Sequence, residues 1–213
     1  MRPHSLSDSR YTGLSSKTVT DSIATLDRET SLRYPAWVGL FTTYIVIGII
    51  FNIYPIFATE VLGITKTGIG VLLLTRAAAT TTVFVLLGRT SFWHFNRGFL
   101  LANQILLAVS VIMLSLFIQF WALQIIMILL GFFFAVNYVN YNESIFHGVS
   151  GSTHRASRMA THEAILTAGI VGGPVTGGII YQIFSMHTLI LLCAGLIIFG
   201  PFIQVFLIKR LHL

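Results

Sequence analysis

Four hydrogen-bonding side chains recur at helical spacing inside one of the apolar runs of this sequence. In FFFAVNYVNYNESIF they fall at i, i+3, i+4 and i+7, which places Asn137, Asn140, Tyr141 and Ser144 on one face of a helix. In apolar surroundings such groups need water, a solute or a neighbouring helix as their partner. The pattern favours a face that lines a solute path. Hydrogen bonds to a neighbouring helix, or a helix end among lipid headgroups, are the alternatives.

A single charged residue, Arg76, interrupts the apolar run VLLLTRAAATTTVF. It lies about seven residues from the nearer end of its run, and therefore roughly 10 Å deep along a helix. A charge at this depth usually faces a cavity or a partner. A long arginine side chain can also reach back to the surface, which is the alternative. Arg76 is thus a second candidate for solute contact.

A third group of polar residues lies in the first apolar run of the chain. Tyr44, Gly48, Asn52 and Pro55 follow one another at i, i+4, i+8 and i+11 and share one helix face. Pro55 loosens the backbone hydrogen bonding of such a helix. Either this helix flexes and lines a cavity through Tyr44 and Asn52, or it is a packed helix with a proline kink.

The stretch RMATHEAILTAGIVGGPVTGGIIY combines a carboxylate with regularly spaced glycines. Small residues four apart let two membrane helices approach closely, and such a repeat is formed by Gly169, Gly173 and Gly177. A second row on the same helix consists of Glu163, Thr167, Ile170, Pro174, Gly178 and Tyr181. Glu163 lies near the end of the run and is a candidate for gating or proton coupling. An interfacial ion pair with Arg155 or Arg158 is the alternative.

The composition indicates which kind of structure holds these residues in place. Of 213 residues, 55% are hydrophobic and 9% are charged, against about 25% charged in average soluble domains, and the mean hydropathy is +0.84. We therefore predict an all-α, polytopic membrane protein. Continuous apolar runs lack the alternation of membrane strands. The six predicted transmembrane helices span residues 36–58, 69–88, 99–119, 122–144, 160–183 and 188–208.

The charges indicate the orientation of these helices. Residues 1–34 are polar and are predicted to form a cytoplasmic tail or linker, and residues 35–213 form the membrane domain. Cytoplasmic loops are rich in Lys and Arg, so the basic residues predict a multi-pass protein of the cell membrane with both termini in the cytoplasm. They reflect membrane insertion rather than a nucleic-acid partner. Eleven of the 13 basic residues lie on one side: Arg2, Arg10, Lys17, Arg28, Arg33, Arg89, Arg97, Arg155, Arg158, Lys209 and Arg210.

Patterns typical of catalysis do not occur in this sequence. It has no metal-ligand spacing, phosphate-binding loop, dinucleotide-binding glycine pattern or nucleophile elbow. We therefore predict no enzyme activity, no catalytic residue, no metal and no cofactor. The expected partners are a small-molecule solute and the lipid bilayer.

The glycine-rich stretch and the six-helix count resemble the carboxyl-terminal half of a major facilitator superfamily transporter. The eleventh helix of that family is typically written with an upstream basic residue and then G-x-x-x-GP-x-x-GG. The matching positions here are Gly169, Gly173, Pro174, Gly177 and Gly178. The polar N-terminal tail stands where the central loop of the family would be. The resemblance covers about residues 35–210.

The resemblance implies a fold and a function. The fold would be half of the family's structure, made of two inverted three-helix repeats. The first and fourth helices would line a cavity, the second and fifth would flank the other half, and the third and sixth would face lipid. The chain would transport a small solute by alternating access, and its glycine motif would pack against the missing half.

The missing half leaves several possibilities. The resemblance implies a second six-helix half or a homodimer, and we place a truncated or split gene product first. The alternative function is that of a non-transporting membrane subunit, or of an inactive remnant, with a structural or regulatory role.

Overall fold

Six long helices form the part of the protein that the structure describes. The computed structural model describes residues 33–90, 92–93, 97–146 and 152–210, and that part of the chain contains no strand. Residues 1–32 of the predicted tail lie outside the described residues, whereas residues 33 and 34 belong to the first helix. The helices are α1 (Arg33–Glu60), α2 (Lys66–Leu87), α3 (Arg97–Leu116), α4 (Phe120–Phe146), α5 (Ser152–Ile183) and α6 (Met186–Arg210).

All six helices are long and apolar enough to cross a membrane. Their candidate spans contain 19 to 28 residues with mean hydropathy between 1.5 and 2.2. A span of 19 residues is about 28 Å long, close to the thickness of a bilayer core of about 30 Å. The predicted all-α, six-helix membrane fold is confirmed. The largest difference is at α5, which begins at Ser152 rather than at residue 160, because a polar helix end escapes a prediction based on apolar runs.

Four of the helices form a row, and two lie behind it. The most extensive contacts join α1 to α5 and α2 to α4, and α1 also touches α4. The row is therefore α2, α4, α1, α5. Behind it, α3 packs on α4 and α6 packs on α1, and these two helices contact each other. Exchanging the first three helices with the last three leaves these main pairings unchanged, as expected for two structural repeats.

The glycines of α5 make its contact with α1 possible. A Cβ atom added at Gly173 would lie 2.5 Å from the carbonyl oxygen of Ile45 and 3.1 Å from Cα of Gly48. One added at Gly169 would lie 2.9 Å from Cβ of Tyr44. Only glycine permits such an approach of two backbones. The expectation that this motif packs against a missing half is therefore wrong for these glycines, because their partner is α1 of the same chain.

The remaining residues of the motif lie along the same contact. A Cβ added at Gly177 would lie 2.8 Å from Cγ1 of Ile49, and one added at Gly178 would make ordinary contact with Ile53, at 3.9 Å. The ring of Pro174 faces Gly48, where an added Cβ would lie 3.0 Å from its Cδ. The whole motif therefore serves the contact between α1 and α5.

The contact between α2 and α4 is equivalent to that between α5 and α1 in the other repeat, but different groups form it. A Cβ added at Gly131 would lie 3.0 Å from Cβ of Ala79 and would overlap the carbonyl oxygen of Arg76. Hydroxyl groups complete the contact. Thr80 donates a hydrogen bond to the Gly131 carbonyl (3.1 Å), and Thr75 donates one to Oε1 of Gln124 (2.7 Å). Through Gly131, α4 lies directly against the backbone of Arg76.

Candidate functional site

Asn137, a predicted solute-contacting residue, lies inside the helix bundle. It is 0% exposed, and its Oδ1 accepts a hydrogen bond from Nδ2 of Asn103 on α3 (2.8 Å). The same Asn103 nitrogen also donates to the Phe133 carbonyl (3.1 Å). Asn137 therefore links α4 to α3.

Tyr141 links three helices. It is 1% exposed, and its hydroxyl oxygen accepts hydrogen bonds from the side-chain amides of Gln104 on α3 and Gln204 on α6, the latter at 3.0 Å. Asn140 is also buried, and its Nδ2 donates to the Val136 carbonyl of its own helix (2.9 Å). Ser144 in turn donates to the Asn140 carbonyl (3.0 Å).

In the polar stripe on α4, Asn137 and Tyr141 thus bond to the helices behind the row, whereas Asn140 and Ser144 bond to their own helix. This arrangement differs from a face open to solute and matches the alternative of hydrogen bonds to neighbouring helices. Sequence reasoning missed the partners, Asn103, Gln104 and Gln204, because it assigned α3 and α6 to lipid contact. The two adjacent amides in LLANQILL were the available signal, because polar side chains are rare on helix faces that contact lipid.

Arg76 occupies a different environment and makes no hydrogen bond to these amides within the described ranges. The carbon Cζ of its guanidinium lies over the ring of Phe51 on α1, 4.0 Å from the ring centroid. Phe51 in turn packs edge-to-face against Phe134 on α4, with centroids 5.9 Å apart. Arg76 therefore stands where α2, α1 and α4 meet.

The stacking also fixes the depth of the charge. Phe51 lies nine residues before the end of α1, which is about 13 Å along the helix. The guanidinium stays at that level rather than reaching back to the surface. A charge near the bilayer centre costs about 2.5–3.5 kcal/mol on insertion scales. A desolvated cation–π contact returns about 2 kcal/mol, so the contact with Phe51 offsets much of this cost.

A row of aromatic rings continues from this point toward the end of the bundle where α1 begins, which we call the terminal end. Tyr138 on α4 lies between Tyr44 on α1 and Phe84 on α2, with ring centroids 6.2 and 5.7 Å away. We call these three residues the aromatic row. Tyr138 was not predicted, although it lies one turn from Phe134 and so shares its helix face.

Asn52 is close to Phe51 in the chain and is exposed. Its Nδ2 donates to the Gly48 carbonyl of its own helix (2.7 Å), which leaves its Oδ1 free to accept. Of the six predicted candidates for solute contact, Tyr44, Asn52 and Arg76 make no hydrogen bond to the buried amides within the described ranges, although Tyr44 packs against the core cluster that contains Tyr141. We call these three residues together with Phe51, Phe84 and Tyr138 the open face.

Glu163 is exposed at the terminal end, next to a buried histidine. His162 is 2% exposed and packs against the rings of Phe146 (5.3 Å) and Tyr138 (6.4 Å). Arg158, a predicted partner of Glu163, instead donates from Nη1 to the Ile145 carbonyl (3.4 Å). A cation suits that position, because the last carbonyls of a helix carry partial negative charge. The side chain of Arg155 lies outside the described residues.

The open face offers a cation, aromatic rings and an amide, which are groups that bind rather than react. No cluster of three or more His, Cys, Asp or Glu side chains that could hold a metal ion occurs within the described ranges.

Comparison with known proteins identifies one family. The model of the Major Facilitator Superfamily matches residues 36–212, which include all six transmembrane spans. No curated protein matches the chain.

Proposed function

The chain belongs to the Major Facilitator Superfamily, and we propose that it forms one half of a secondary transporter that moves a small solute by alternating access. Proteins of this superfamily are membrane transporters built from two six-helix halves, with the solute at the bilayer midplane between the halves. This chain supplies six helices. Its partner would be a second six-helix half or another copy of itself.

The observation that carries the proposal is the position of Arg76. Intramembrane charges usually face a water-filled cavity or the interior of an assembly. Arg76 is held at mid-depth between α1 and α4, the two central helices of the row. A half-transporter that presents this face to its partner would enclose Arg76, Asn52 and the aromatic row in a central cavity.

The basic residues support an orientation for this assembly. Since Lys and Arg concentrate at the terminal end, we place that end in the cytoplasm and the chain in the cell membrane. Glu163, which is exposed at this end, would then be a gating residue at the cytoplasmic mouth.

A second function rests on a separate observation. The hydrogen bonds of Asn137 and Tyr141 to α3 and α6 show that polar residues of α4 stabilise the bundle. A non-transporting membrane subunit needs nothing more. The two functions differ in whether water reaches the open face.

Labelling of engineered cysteines in cells tests this difference. The native Cys193 is buried in α6 and is replaced by alanine. A membrane-impermeant thiol reagent is then applied to chains carrying Asn52→Cys or Tyr138→Cys. Asn137→Cys is the interior control, and Phe199→Cys, exposed on α6, is the lipid control. A transporter half predicts labelling at 52 and 138 well above both controls, and equal labelling at all four positions would contradict it.

A further inference from the structure

The guanidinium of Arg76 has no carboxylate near it within the described ranges. The acidic residues there are Glu60, Glu143 and Glu163. Glu60 ends α1, nine residues from Phe51, so it lies about 13 Å away along the helix axis. Glu143 is 12 residues beyond Gly131, which touches the Arg76 backbone, and so is about 18 Å away in the other direction.

Glu163 is also far from Arg76. It precedes Gly169, which packs on Tyr44, and Tyr44 is itself seven residues, or about 10 Å, from Phe51 toward the terminal end. An arginine forms a strong ion pair only when the carboxylate is within about 4–6 Å. The described part of the chain therefore holds the charge of Arg76 without a counter-ion.

One buried hydrogen-bond donor of Arg76 is likewise unused within the described part of the chain. Its Nε is buried and has no hydrogen-bond partner among the described residues. The neighbouring hydroxyls do not compete for an acceptor at this place, because Thr80 donates to Gly131 and Thr75 donates to Gln124. The ring of Phe51 offers no oxygen acceptor, so the N–H donors at the edge of the guanidinium are available to another molecule.

The chemistry of that edge selects the ligand. A guanidinium presents its N–H groups in a planar fork that matches the two oxygens of a carboxylate or phosphate. Toward the terminal end, Tyr138 lies one turn beyond Phe134, about 6 Å along α4, and joins Tyr44 and Phe84 in an apolar surface. A ligand that used both features would have a negatively charged end and an apolar body.

We propose that the solute of this transporter half is an organic oxyanion, whose charged group binds Arg76 and whose apolar part packs on the aromatic row. This inference deepens the proposed function and rests on it. It makes Arg76 the residue that determines the charge of the transported solute.

Thermal unfolding of the purified full-length chain in detergent tests the proposal with three probes. Benzoate carries a carboxylate on an aromatic ring, benzamide carries the ring without the charge, and inorganic phosphate carries charge without an apolar body. Ionic strength is held constant with sodium chloride. Arg76→Gln removes the cation, Arg76→Lys keeps the charge without the fork, and Arg89→Gln removes an exposed cation elsewhere on the chain as a matched control.

The expected result is a rise in the unfolding temperature of the wild type and of Arg89→Gln with benzoate, and smaller rises with phosphate and benzamide. We expect Arg76→Gln to raise the apparent Kd for benzoate at least about tenfold, since a charged hydrogen-bonding partner is lost. Arg76→Lys is expected to lie between the two. The unfolding temperature of each variant without a probe shows that it is folded, and Arg76→Lys serves if Arg76→Gln is not.

Three outcomes would overturn the inference: equal benzoate responses in the wild type and Arg76→Gln, a benzamide response equal to that of benzoate, or no benzoate response in the wild type. A phosphate response as large as that of benzoate would contradict the part of the proposal that gives the solute an apolar body. Cysteine labelling separates these failures from failure of the proposed function. If the open face is labelled but Arg76→Gln has no effect, the transporter half carries a solute of another class.

Discussion

Glycine, asparagine and tyrosine each occur both in the bundle interior and outside it, in opposite surroundings. The interior holds Gly173 against the backbone of α1, and holds Asn137 and Tyr141 in hydrogen bonds to α3 and α6. Outside it are Gly172, with no atom near an added Cβ, and Asn52 and Tyr138 on the open face. Residue type alone therefore does not indicate a role in a membrane protein. Each of these three pairs tests the division, because both members undergo the same substitution.

The glycine pair is expected to give the largest difference in stability. In Gly173→Ala the new methyl group would meet the Ile45 carbonyl at 2.5 Å, and the helix backbone cannot yield as a side chain could. We expect a loss of about 3 kcal/mol in the free energy of unfolding. Unfolding by titration with dodecyl sulfate in mixed micelles measures it.

Gly172→Ala is the matched control for this substitution. Within the described residues, nothing beyond its own helix backbone lies within 4 Å of its added Cβ, so the change only restricts the unfolded chain and favours helix. We expect a gain of about 0.5–1 kcal/mol. If the two alanine variants had equal stability, the close contact between α1 and α5 would not exist in the membrane-embedded protein.

The tyrosine pair is expected to differ by less. Tyr141→Phe keeps the ring and removes the hydroxyl that accepts from Gln104 and Gln204, so two buried amides lose a partner. Hydrogen bonds between membrane helices average about 0.6 kcal/mol and reach about 1.7. We expect a loss of about 2 kcal/mol, measured by the same titration.

Tyr138→Phe provides the comparison on the same helix. Its ring contacts with Tyr44 and Phe84 remain, and its hydroxyl makes no hydrogen bond to another described residue. We expect a change within about 0.5 kcal/mol. A destabilisation as large as that of Tyr141→Phe would mean that the open face is closed by contacts within the chain.

These pairs also show how far the sequence could lead. Six apolar runs of membrane-spanning length predicted the six helices, because the bilayer imposes that length on any helix that crosses it. Helical spacing correctly grouped Asn137 with Tyr141 on one face of α4. It did not determine the direction of that face. A stripe that meets another helix and one that meets water have the same period, and the choice depends on which helices become neighbours.

The glycine motif illustrates the same limit. Its spacing identifies a surface for close contact, and Gly169, Gly173 and Gly177 do make one. The partner, however, is α1, whose Gly48 lies more than 100 residues away in the chain. Arg76 was easier to recognise, because an isolated charge in an apolar run requires an explanation wherever the helix points. Its contact with Phe51 could be found only from the packing of α1 against α2 and α4.

The asparagine pair gives the smallest expected effect on stability. It is also the sharpest test of the distinction between the bundle interior and the open face. Asn137→Leu removes the acceptor of one hydrogen bond, but Nδ2 of Asn103 keeps the Phe133 carbonyl at 3.1 Å. The substitution also removes the Nδ2 of Asn137, which is buried without a hydrogen-bond partner among the described residues. These effects oppose each other, so we expect a net loss of about 0.6 kcal/mol. Asn52→Leu should change stability still less, because its side chain is exposed and bonds only to its own helix.

The response to benzoate is expected to separate the two asparagines in the opposite order. Asn137→Leu should leave the benzoate-induced rise in unfolding temperature intact, because Asn137 is 0% exposed and cannot touch a ligand on the open face. Asn52→Leu should weaken that rise, because Asn52 is exposed and its Oδ1 has no hydrogen-bond partner among the described residues. If Asn137→Leu abolished the benzoate response while the protein kept its stability, the stripe on α4 would line the solute path after all. The face that now packs on α3 would then have to open during the transport cycle.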